Sequence, residues 1–131
     1  MGSPKKVIID TNFLLIPGQF KVDIFSEIGR ILEEPHELFM VEKTLAELEK
    51  IAQAGSVKDR FAAKLALVLA AQKGLKRVPS SKGDISADDE IVVASDKDTY
   101  VATQDIALQR RAREKGAKVI MLRQKKYLVV N

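Results

Sequence analysis

The most constraining feature of the chain is "VIID", residues 7–10, in which three consecutive β-branched apolar residues run straight into a carboxylate. Successive side chains of a strand point to opposite faces, so an unbroken apolar run must be covered on both sides. A parallel sheet clothed by helices meets that condition. The runs "ELFMV", "LKRV", "YVAT" and "KVIML" read as further strands, with "KYLVV" as a candidate last one, and helical segments separate most of them. Strands alternating with helices imply right-handed crossovers, hence an α/β fold: a three-layer α/β/α sandwich around a central, mainly parallel sheet.

The helical segments follow from spacing and from their ends. Residues 22–34 place Ile24, Phe25, Ile28, Ile31 and Leu32 at helical intervals, and Pro35 stops the pattern. Thr44 and Glu47 have capping-box spacing, which predicts a helix beginning at Thr44 and reaching Gly55. Residues 56–74 open on a capping Ser and close on Gly, with Phe61, Leu65, Leu67, Val68 and Leu69 along one broad face. Two more helices are expected over "ADDEIVVAS" and "QDIALQRRAREKG". Pro17-Gly18 reads as a turn, and "PSSKGD", residues 79–84, as a loop. There is no internal repeat.

Such a pattern fills the chain. With 131 residues, 46% of them hydrophobic, one domain over residues 4–131 can bury a core without a metal staple. Met1, Gly2 and Ser3 add nothing to the pattern and are expected to be a disordered or expression-derived lead. The absence of Cys excludes disulfides, thiolate zinc sites and a Cys nucleophile. With no signal-like run and no stretch of ~20 apolar residues, a soluble, cytoplasmic protein without a membrane partner is expected.

Parallel strands also bring acids together. Asp10 and Asp105 each follow an apolar strand, so both are expected at the same edge of the sheet, where open α/β sheets collect ligands. Helices that follow strands start at that edge too, which brings Glu47, Asp88 and Asp89 within reach. Clustered carboxylates disfavour one another's ionisation, so a compensating charge is needed. No Lys or Arg neighbours these motifs in sequence, and an oxygen-only donor set suits one or two Mg²⁺ or Mn²⁺ ions. Thr11, Asn12 and Thr103 are expected to orient those carboxylates or their waters.

Charge is uneven along the chain. Residues 104–126 hold eight Lys and Arg against two Asp and Glu, a local +6, while the whole chain carries +4 and the remainder is therefore −2. A basic quarter on an acidic body points to a polyanionic partner, although a solvated helix face has the same composition. Carboxylate-held metal beside a basic surface is the equipment for phosphodiester hydrolysis, which needs neither Cys nor the single His.

"VIIDTNFLL", "TLAELEK", "ADDEIVVAS" and "YVATQDIALQRR" resemble, in order and spacing, the motifs of PIN-domain nucleases over nearly the whole chain. Within that family the likeness is strongest to the pre-rRNA-processing PIN endonuclease of the small-subunit processome and its archaeal relatives. The resemblance implies metal-dependent cleavage of single-stranded RNA, frequent homodimerisation and a role in ribosomal RNA processing. It puts the metal-binding, catalytic acids at Asp10, Glu47, Asp88 or Asp89, and Asp105. Gln104 departs from the Asn or Arg often found before the last acid.

Arg110, Arg111, Arg113, Lys125 and Lys126 are the expected guides for RNA, with Tyr127 as the aromatic expected to stack on bases. The five Phe residues, Phe20 and Phe61 included, read instead as core or dimer packing. His36 reads as a surface residue in a connector. Two other activities share these features: the toxin ribonuclease of a toxin–antitoxin pair, and a non-catalytic RNA-binding factor of ribosome assembly.

Overall fold

The computed structural model describes residues 2–80 and 83–131. Met1, and Ser81 and Lys82 of the predicted 79–84 loop, lie outside the described residues. In chain order the elements are β1 (Lys5–Ile9), α1 (Thr11–Leu14), α2 (Ile16–Phe20), α3 (Ile24–Ile31), β2 (His36–Val41), α4 (Glu42–Ala54) and α5 (Val57–Gln72). They continue with β3 (Lys76–Val78), α6 (Ala87–Ala94), β4 (Thr99–Ala102), α7 (Ile106–Glu114), β5 (Lys118–Arg123) and β6 (Tyr127–Val130). The strands form one sheet in the order β3-β2-β1-β4-β5-β6. All pairings are parallel except β5 with β6, a hairpin.

Side chains of β1 alternate between two cores. Val7 and Ile9 join Phe13, Ile24, Ile28, Leu48 and Ala62, the core under α1 to α5. Ile8 joins Val101, Ile91, Leu108 and Ala112 under α6 and α7. Each face of the continuous apolar strand thus has its own helical layer, and the fold is the α/β/α sandwich that "VIID" demands. Among the described residues no helix is long and apolar enough to cross a membrane.

Several local expectations are corrected. Pro17-Gly18 makes no turn: Pro17 lies in the first turn of α2, where its missing N–H costs nothing. Gly18 serves close packing instead, since a Cβ there would stand 2.6 Å from Ala62 Cα on α5. The helix expected over 22–34 is only α3, because Asp23 caps it by accepting from the N–H groups of Phe25 and Ser26. His36 opens β2 rather than lying in a connector. On α5 the buried residues are Ala62, Ala63, Ala66 and Ala70, whereas Phe61 and Val68 are exposed. Small side chains let α2 and α5 approach closely, while Leu67 and Leu69 pack half-buried at the border of the core.

Candidate active site

Strand order reverses at β1 and β4, and the first two acids stand there. Register pairs Ile9 with Ala102, so Asp10 and Thr103 emerge side by side at the carboxyl edge of the sheet. The Asp10 N–H donates to Ala102 O at 3.0 Å. Its carboxylate caps α1, Oδ1 accepting from Thr11 N at 2.8 Å and Oδ2 from Thr103 Oγ1 at 2.9 Å. Asp10 is only 5% exposed. Burial pushes its pKa up to about 6, with the charges of Asp88 and Glu47 acting in the same direction and the bonds from Thr103 and Thr11 opposing.

Three more elements bring acids to this edge. Glu47, exposed on α4, accepts from Thr11 Oγ1 at 2.6 Å, and Thr11 Oγ1 shares a 3.1 Å hydrogen bond with Thr44 Oγ1. Thr44 is therefore no helix cap. Strand β2 runs into α4 without a linker, Val41 takes the cap position, and Thr44 is fully buried. Asp88 opens α6 half-buried, its pKa raised by burial and then by the charges of Asp105 and Glu47. Asp105 caps α7, accepting from Ala107 N at 2.9 Å and Leu108 N at 3.1 Å, while its own N–H donates to Thr103 Oγ1 at 3.0 Å.

Asp10, Glu47, Asp88 and Asp105 thus share one electrostatic neighbourhood, which Asp89 and Arg111 border: the charge of Asp89 also raises Asp88, and that of Arg111 lowers it. Arg111 Nη2 donates to Asp89 Oδ1 at 2.7 Å, and that bond holds the Asp89 carboxyl below its ordinary range. Among the described residues no three His, Asp or Glu side chains form a ready-made group that could hold an ion.

The remaining expected residues are spread more widely. Asn12 is exposed and lines a cavity with Phe20, Gln104 and Lys125. Arg110, Arg113, Lys125, Lys126 and Tyr127 are all exposed. Arg113 lies eight residues beyond Asp105, about 12 Å farther along α7 at 1.5 Å per residue. Two amides were not anticipated. Gln104 donates from Nε2 to Leu122 O and accepts from Leu122 N, which extends the β4–β5 ladder with a side chain. Buried Gln109 donates to Thr103 O at 2.8 Å and so steadies the residue that holds Asp10. No spacing rule marks either, because both partners are main-chain atoms.

The sequence profile described as "PIN like domain" matches residues 7–125. The chain belongs to the PIN-like domain family. Among PIN-like relatives, Ribonuclease VapC4 of Methanocaldococcus jannaschii is 29% identical over 127 residues, covering 95% of each chain. The rRNA-processing protein fcf1 of Schizosaccharomyces pombe is 34% identical over 116 residues, 87% of this chain but only 56% of fcf1. The chain thus spans about half the length of that relative. The solved structure of the PIN domain endonuclease Utp24 matches with a TM-score of 0.78 and 31% identity, covering 99% of this chain and 93% of that one.

Proposed function

We propose that this PIN-like domain is a Mg²⁺- or Mn²⁺-dependent endoribonuclease that hydrolyses RNA phosphodiester bonds, acting on single-stranded or ribosomal precursor RNA. One observation carries the reading: Asp10, buried at the β1/β4 switch point, is pushed up to about 6 in a neighbourhood shared with Asp88 and Glu47. Burial is the larger cause and the neighbouring charges add to it; a fold gains nothing in stability from burying a carboxylate beside like charges, whereas a site for a hard cation gathers them.

The donor set fits such an ion. Every candidate ligand on Asp10, Glu47, Asp88 and Asp105 is a carboxylate oxygen, and Mg²⁺ is ordinarily held by one or two carboxylates while it keeps several waters. When bound, the ion lowers the pKa of water and offsets phosphate charge. The chain's own residues prepare the place. Thr103 and the Thr11 N–H fix the rotamer of Asp10, and the Thr11 hydroxyl aims Glu47. Asp105 is held by two N–H groups of α7. Asp88 is the third-motif acid, because the Asp89 carboxylate is taken up by Arg111. Arg110, Lys125 and Lys126 guide the RNA backbone.

The name of fcf1, an rRNA-processing protein, supports precursor ribosomal RNA as substrate, and that of Utp24 supports endonuclease action. The end-to-end match to VapC4 favours a second reading, a toxin ribonuclease. The test is incubation of structured and single-stranded RNA with and without Mn²⁺, alongside Asp10→Asn. Cleavage that needs both the ion and Asp10 supports the proposal, and wild-type protein that binds RNA without ever cutting it overturns it. Growth arrest on expression, with transfer or mature ribosomal RNA cut, would favour the toxin over a processing enzyme.

A further inference from the structure

We infer that the cavity between Asn12, Phe20, Gln104 and Lys125 is a nucleobase subsite, which takes the base of a nucleotide near the cleaved bond of single-stranded RNA. The inference rests on the ribonuclease reading above. Its position follows from the chain: Asn12 lies two residues past Asp10 and Gln104 directly precedes Asp105, so two of the lining residues come from the sheet edge that carries these acids, although the acids themselves do not line the cavity. Its volume, about 530 Å³, falls in the range of small-ligand clefts, roughly 300–1,000 Å³.

The lining selects a base over other ligands. Ile16 and Leu122 make an apolar floor. Phe20 stands 40% exposed at the wall, so its ring is accessible for stacking. The polar groups are mainly the amides of Asn12, Gln19 and Gln124, which donate and accept as base edges do. A bare phosphate would call for several cations, and this cavity offers one. That cation, Lys125 Nζ, stands 5.5 Å from the Phe20 ring centroid, where the cation–π contact orients the ring and positive charge remains for a phosphate.

The wall is built at a cost. Gln124 and Lys125 have φ of 53° and 54°, so two consecutive non-glycine residues occupy the left-handed region. They form the tip of the β5–β6 hairpin, closed by Lys126 N donating to Arg123 O at 3.0 Å. A strained tip persists only where its surroundings over-determine it, and Gln104 supplies such an anchor by bonding both main-chain groups of Leu122.

The experiment measures affinity of short single-stranded RNAs, intact or with one abasic position scanned along them, for Asp10→Asn protein that cannot cut. The same measurement is made with Phe20→Leu, Phe20→Tyr and Lys125→Gln added. One abasic position is expected to weaken binding about tenfold, in the range of base–aromatic stacking. Phe20→Leu should weaken intact RNA equally and erase the abasic penalty, Phe20→Tyr should restore both, and Lys125→Gln should weaken binding at every position. An abasic penalty that survives Phe20→Leu, or a Phe20→Leu effect confined to oligomeric state, overturns the subsite. The ribonuclease reading is judged separately by wild-type cleavage: cutting with no Phe20 effect removes the subsite alone, and a Phe20-dependent abasic penalty without cutting keeps the subsite and removes the enzyme.

Discussion

Thr103 Oγ1 donates to Asp10 Oδ2 at 2.9 Å and accepts from the N–H of Asp105 at 3.0 Å. One fully buried hydroxyl therefore ties the carboxylate that follows β1 to the main chain at Asp105, the cap of α7. It gives Asp10 a donor, which opposes the upward push of burial. Neither acid has to find the other through solvent.

Thr103→Val keeps the shape and removes both bonds. It should destabilise the fold by about 1–3 kcal/mol, the cost of buried polar groups left unmet. Turnover should fall about 10- to 100-fold, as for other groups that orient catalytic ligands. Thr103→Ser should keep both properties. Urea unfolding and initial cleavage rates check this, and equal behaviour of Val and Ser variants would remove the role.

Asp10 also predicts a pH dependence of the metal-free protein. Its folded pKa of about 6 lies above the ordinary 3.8, so the folded state holds this proton more tightly than the unfolded one. Below pH ~4 both states are protonated and nothing is lost. Between pH ~4 and ~6 the unfolded chain ionises first, and stability falls with rising pH by roughly 3 kcal/mol at 1.36 kcal/mol per unit. Asp10→Asn should abolish this fall and be at least as stable as wild type at neutral pH. Chelator-treated protein unfolded in urea across that window isolates Asp10 in the difference between the two proteins, and parallel curves would contradict the assignment.

Gly18→Ala should lower stability with the acids untouched. The new Cβ would lie 2.6 Å from Ala62 Cα and 2.8 Å from Ala62 Cβ, so backbone must move. Overpacking of that kind costs about 1–3 kcal/mol. A thermal melt several degrees lower, with cleavage retained in the folded protein, is the expected outcome; an unchanged melt would mean that α2 and α5 separate freely.

The core strands were legible because burial on both faces leaves no polar position to obscure them. "VIID" and "YVAT" thus sufficed to put Asp10 and Asp105 at one edge. The Thr44–Glu47 spacing misled because a capping box and two residues one helical turn apart that both bond to Thr11 have the same signature, and only the direct run of β2 into α4 separates them. On α5 the larger apolar residues outweighed the alanines in the periodic pattern, whereas helix packing at Gly18 depended on small size. Sequence leaves both Asp88 and Asp89 as candidates, although the apolar spacing after them favours Asp88, since both lie in one helical turn and the partner that distinguishes their surroundings, Arg111, is 22 residues from Asp89.

That partner makes the last prediction. Asp88 is half-buried, with its charge opposed by Asp105 and Glu47, while Asp89 is exposed enough for its Arg111 pair to be a surface contact, the two side chains being 41% and 44% accessible. Asp88→Asn should therefore reduce cleavage by more than the 10- to 100-fold typical of supporting groups. Asp89→Asn should cost little stability and leave most turnover, because exposed ion pairs contribute little. A double-mutant cycle with Arg111→Ala should show that the two losses are coupled, as expected for residues in direct contact. If Asp89→Asn abolished cleavage while Asp88→Asn spared it, the roles of the pair would be exchanged, and Arg111 would become a residue displaced when the ion enters.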